Sequence, residues 1–69
     1  MFIKVTAIGY QTNVATTFLE NPQTVLINSL KIWSVTPGKK GSEIKDESSR
    51  NIIIVKESVE EIYEQINKK

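Results

Sequence analysis

The stretch IIIVKESVEEIYEQI, Ile52 to Ile66, decides how the rest of the chain is read. Ile52-Ile53-Ile54-Val55 is an unbroken β-branched run between polar segments. That pattern belongs to a strand buried on both faces, placed centrally or at a subunit interface. Ser58-Val59-Glu60-Glu61 follows and matches a capping box, in which Ser58 and Glu61 each satisfy the other's backbone amide. Val59, Ile62, Tyr63 and Ile66 then recur at i, i+3, i+4 and i+7, one apolar stripe on a helix over residues 59–67. Glu60 and Glu61 sit at the positive end of its dipole, Lys68 and Lys69 at the negative end. A central strand followed by a capped amphipathic helix requires a sheet for that helix to cover.

The upstream sequence supplies the sheet. Residues 2–8, FIKVTAI, alternate, with Ile3, Val5 and Ala7 on one face and Phe2, Lys4, Thr6 and Ile8 on the other; Gly9 ends the run. Residues 24–28, TVLIN, predict a second strand, with a turn at Asn28-Ser29. Residues 30–36, LKIWSVT, predict a third, with Leu30, Ile32 and Ser34 opposite Lys31, Trp33 and Val35. Pro37-Gly38 is a turn signal, so residues 37–42 make a polar hairpin tip. Residues 42–46 form a short, charged edge strand and residues 46–51 the next turn. Residues 9–23 read as a long loop with a short strand at 14–19, because Asn21-Pro22 favours a turn. The expected class is β-rich α+β: a twisted, mostly antiparallel sheet or open barrel of four to five strands with one C-terminal amphipathic helix.

With 69 residues and a net charge of +1, the chain makes a single domain, 1–69, with a thin core. It has neither Cys nor His, so disulfides, thiol nucleophiles, imidazole bases and ordinary zinc sites are excluded. Oligomerisation is the staple left to so small a domain, and a homo-oligomer is expected. Ile52, Ile54, Val59, Ile62, Tyr63 and Ile66 are candidates for the core or that interface. No run approaches the length of a membrane span, and MFIKVTAIGY lacks the apolar centre of a signal peptide. A cytoplasmic location without membrane association is the expectation.

Candidate chemistry is sparse. Gly38-Lys39-Lys40-Gly41-Ser42 is superficially similar to a phosphate loop, but the spacing is wrong and no helix follows. Glu57, Glu60, Glu61 and Glu64 are read as capping and dipole chemistry. Tyr10, Thr12, Asn13 and Thr16 gather hydrogen-bonding groups in the long loop, and Trp33, Lys39, Lys40 and Arg50 add an aromatic and basic groups. These eight are the candidate ligand-binding residues. No catalytic residue, metal ligand or cofactor is expected.

Ile54-Val55-Lys56-Glu57-Ser58-Val59-Glu60-Glu61-Ile62 resembles the ending of FlbD-type proteins of flagellar operons. Ile3-Lys4-Val5-Thr6 and Val25-Leu26-Ile27-Asn28 resemble that family's opening strand and its strand ending in Asn. Together these segments make up 17 of the 69 residues, and small phage proteins look similar. Residues 9–23 and 37–51 are longer than the family's corresponding segments. The resemblance implies a motility accessory role or, in a phage setting, a host-targeting inhibitor that sequesters a signalling molecule. The ending is also similar in outline to the carbon storage regulators, which implies RNA binding. Its RNA-binding strand motif is not recognisable in Met1–Gly9, so nucleic acid is possible but not favoured. The leading expectation is a non-catalytic binding or regulatory module for a protein or small ligand.

Overall fold

A computed structural model describes residues 1–47 and 51–67. Five strands, β1 (Phe2–Gln11), β2 (Thr16–Asn28), β3 (Ile32–Pro37), β4 (Ser42–Asp46) and β5 (Ile52–Val55), precede one helix, α1 (Val59–Asn67). The strands form one open antiparallel sheet in the order β2-β1-β5-β4-β3. The protein is thus β-rich α+β. The β-branched strand β5 is the central one, and α1 spans the expected residues.

α1 covers one face of the sheet. Ile62, 1% exposed, packs with Ile3, Val5, Ile44 and Val55, and Val25, Ile27, Ile32, Val35 and Ile53 surround them. The alternation of residues 2–8 therefore holds, since Ile3, Val5 and Ala7 are buried. Only part of the helical stripe is covered: Tyr63 is 66% exposed and Ile66 37%.

Three expectations need correction. Residues 9–23 are not a long loop, and Gly9 does not end the first strand. β1 runs on to Gln11 and β2 begins at Thr16, so most of that stretch is the outer part of a hairpin that also includes residues 24–28. Its loop is short because Thr12 closes it: the Thr12 amide donates to the Ala15 carbonyl (2.8 Å), and the Thr12 hydroxyl accepts from the Val14 and Ala15 amides. Pro22 is tolerated because β2 is an edge strand. The ladder between Ala7↔Gln23 and Gly9↔Phe18 is irregular, and Leu19–Pro22 bulges out there.

Second, Ser42–Asp46 is not an edge strand. β4 lies between β5 and β3, and Ser42 is fully buried, donating its hydroxyl to the Glu57 carbonyl (2.8 Å). Third, β3 starts at Ile32, after a 3-10 turn at Ser29–Lys31 whose Leu30 amide donates to the Asn28 side chain. Its faces are not those of simple alternation. Ile32 pairs with Asp46 and Ser34 with Lys45, which leaves Trp33 as a bulged extra residue. The phase flips there, so Ile32 and Val35 both reach the core.

Candidate ligand-binding cleft

The sheet face opposite α1 carries the concave surface of interest. In the antiparallel register Gly9 sits between Phe18 on β2 and Ile54 on β5, and Ile54 is opposite Glu43 on β4. Directly opposed residues project to the same face, so Phe18, Ile54 and Glu43 form one row across the sheet. The next row outward brings Gln11 between Thr16 and Ile52. Glycine at position 9 is what lets Phe18 lie across this row. A Cβ there would come within 2.9 Å of the Thr17 carbonyl oxygen and 3.0 Å of Phe18 Cδ1.

The β3–β4 hairpin tip folds over the same face. The Gly38 amide donates to the Gly41 carbonyl (2.8 Å), closing the turn. Gly41 lies so close to the end of β5 that any Cβ would overlap the Val55 carbonyl oxygen. This close approach sets the tip's position, and Lys40 Nζ comes to 4.5 Å from the centre of the Phe18 ring. At an exposed site such a cation–π contact contributes about 0.5–1 kcal/mol.

Two concavities meet at the Phe18–Lys40 pair. One, of about 360 Å³, is floored by Ile54 and bordered by Gln11, Thr16, Lys39 and Glu43. The other, of about 400 Å³, is bordered by Ile8, Glu20, Pro22 and Lys56. Each falls within the range of small-ligand sites, roughly 300–1,000 Å³. Three ammonium groups border the combined cleft, with Glu43 and Glu20 as carboxylates on its two sides.

Of the residues singled out from sequence, Thr16, Lys39 and Lys40 are brought together here. Tyr10 is not: it pairs with Thr17 and Ile53, on the alternate row facing α1. Thr12 and Asn13 lie in the β1–β2 loop, where the Thr12 hydroxyl is spent on loop closure. Trp33 stands on the far edge strand, 69% exposed. Arg50 lies outside the described residues. Ile52 and Ile54 are on the cleft face, while Val59, Ile62, Tyr63 and Ile66 border a separate groove along α1. Sequence reasoning missed Gln11, Phe18 and Glu43. The hairpin was the signal that would have found them: once Thr12–Ala15 is read as a loop, Gln11 and Thr16 become partners and Phe18 falls opposite Gly9.

Among the described residues, no group of three acidic side chains converges as a metal site, and no helix is long and apolar enough to cross a membrane. No protein-family model matches the chain, and no curated protein or solved structure does.

Proposed function

We propose that this protein is a non-catalytic binding module whose cleft takes a small anion carrying a flat apolar body. The observation that carries this reading is the Lys40 ammonium held over Phe18 where two concavities join. An aromatic face and an Ile54 floor suit the apolar body, and Lys39, Lys40 and Lys56 suit the charge. Gln11 and Thr16 add hydrogen-bonding groups that can orient the ligand.

Phenyl phosphate, inorganic phosphate and phenol separate the two components of this recognition. In an amide NMR titration, phenyl phosphate is expected to shift Gln11, Phe18 and Lys40 resonances with an affinity of the order of millimolar, as suits a fragment of its size. Phosphate and phenol alone bind at least several-fold more weakly. Lys40→Gln and Phe18→Leu each weaken phenyl phosphate binding several-fold without changing the fold. Shifts absent at the highest concentration, or located away from the cleft, overturn the reading.

A further inference from the structure

The concavity floored by Ile54 holds two polar side chains that the fold itself does not use. Gln11 and Glu43 are half-buried and border the same floor. Among the described residues, neither side chain has a hydrogen-bond or ion-pair partner. Lys39 and Lys40 border the same concavity, yet neither neutralises Glu43. The Glu43 carboxylate lies under the hairpin tip, where a Cβ on Gly38 would come within 3.2 Å of its Oε2. The ammonium groups favour an anion and this carboxylate repels one. Both are served when the ligand turns N–H donors toward Glu43 and keeps its negative charge away from it. The placement of the groups allows that division. Glu43 borders the first concavity alone, Lys56 the second alone, and Lys40 stands between them. Glu20, beside the second, is exposed to solvent.

We propose that the flat body of the ligand is guanine and the ligand a free guanosine monophosphate (GMP), an inference that rests on the binding reading above. The base lies on Ile54 beside Phe18, and its N1–H and exocyclic amino group donate together to the Glu43 carboxylate. Guanine is the common base that presents two adjacent N–H donors to one carboxylate. Adenine turns an acceptor ring nitrogen to the same place and leaves the carboxylate unpaired. The Gln11 amide supplies donors for the acceptors of the base, and Lys40 and Lys56 take the phosphate. The occupant is a free nucleotide because the cleft offers one aromatic face, that of Phe18, whereas single strands are held on successive stacking platforms.

The test is an amide NMR titration of the full chain with GMP, inosine monophosphate, adenosine monophosphate (AMP) and phenyl phosphate. GMP is expected to bind about tenfold or more tightly than AMP, because a site built for donors rejects the analogue that lacks them. Inosine monophosphate keeps N1–H without the amino group and falls between the two. Glu43→Gln is expected to bring GMP and AMP to within about twofold of each other, since a carboxamide can pair with adenine as well. Glu20→Gln leaves the ratio of the two affinities as it is, and neither variant changes the circular dichroism spectrum. Equal binding of GMP and AMP, or a preference that survives Glu43→Gln, overturns the guanine assignment. Phenyl phosphate bound at the cleft in that case keeps the binding-module reading intact. Absence of shifts with all four ligands overturns both. The trinucleotide UGU, bound more than about tenfold more tightly than GMP, overturns the free nucleotide as occupant and assigns the site to RNA.

Discussion

β1 and β3 both have backbone that outruns its strand partners, and the molecule treats the two in opposite ways. β5 pairs with β1 only from Ala7 to Gln11, so among the described residues the N-terminal half of β1 has no strand on that side. The C-terminal segment closes it instead. The Lys56 amide donates to the Thr6 carbonyl (2.9 Å), and Glu57 accepts from both the Thr6 amide (2.7 Å) and its hydroxyl (2.9 Å). Further along α1, the Gln65 side chain accepts from the Lys4 amide (2.9 Å) and donates to the Lys4 carbonyl (2.8 Å). Glu57 and Gln65 thus stand in for a missing strand. Along β3, no strand among the described residues pairs with the outer side. One edge is closed within the chain and the other is not. The difference teaches that the strand order alone does not tell which edges are available.

The comparison breaks most severely at the β3–β4 tip, which abuts the residues that close β1. Gly41→Ala would drive a Cβ into the Val55 carbonyl oxygen and to 2.8 Å from that of Lys56, both backbone atoms that cannot move alone. A loss of about 3 kcal/mol or more in denaturant unfolding is expected, the size reached when backbone strain and overpacking combine. Gly38→Ala is the control, because its Cβ would meet only the Glu43 side chain, at 3.2 Å. Its cost is expected to stay within about 1 kcal/mol. Equal effects at the two glycines would remove the tip from any role in seating the C-terminal segment.

Next in size is the closure of β1 itself. Glu57→Ala leaves the part-buried Thr6 amide and hydroxyl without their shared acceptor, at an expected cost of about 1–3 kcal/mol. A double-mutant cycle with Thr6→Val isolates the hydroxyl's share as a coupling of about 0.5 kcal/mol or more. Gln65→Ala costs less, about 1 kcal/mol, since its bonds to Lys4 are exposed. Trp33→Ala on the bare edge is expected to change the unfolding of dilute protein by no more than about 0.5 kcal/mol. If Trp33→Ala costs as much as Glu57→Ala under those conditions, the two edges are not the opposites described.

How far these features were legible from sequence follows from the range of the interactions behind them. α1 was legible to the residue because its capping box and stripe are local. The central place of β5 was legible because four consecutive β-branched residues leave no polar face. The outer β1–β2 hairpin was hidden: Asn21-Pro22 signals a turn locally, but an edge strand absorbs a proline that an inner strand would reject. The β3 faces were hidden by the bulge at Trp33, which only the pairing with β4 reveals. The cleft was the least legible part. Phe18 and Lys40 meet because Gly9 and Gly41 each permit a close backbone approach, and neither approach leaves a periodic trace. Glu57 was hidden for a related reason, since a carboxylate just before a helix has the same composition whether it caps that helix or reaches back to a strand.

The smallest expected effect connects the local cap to the edge it supports. The Glu61 carboxylate accepts from the Ser58 amide (3.0 Å), and the Glu61 amide donates to the Ser58 hydroxyl (3.2 Å). The bond from the Ser58 backbone, followed by that from its side chain, holds the Glu61 carboxyl below the usual glutamate value. A group whose pKa is depressed on folding stabilises the folded state above its unfolded value, and that contribution fades as pH falls through the folded one. The cap should therefore weaken below the ordinary glutamate range while staying constant near neutrality. Thermal midpoints measured between about pH 3 and 7 should fall less steeply at the acid end in Glu61→Gln, which keeps an acceptor but does not titrate. Because α1 carries Gln65, loosening its first turn should also lower the hydrogen-exchange protection of the Lys4 amide, with no matching change along β3. Equal loss of protection at Lys4 and along β3 would mean that acid opens the sheet as a whole, and that the helix does not guard one edge in particular.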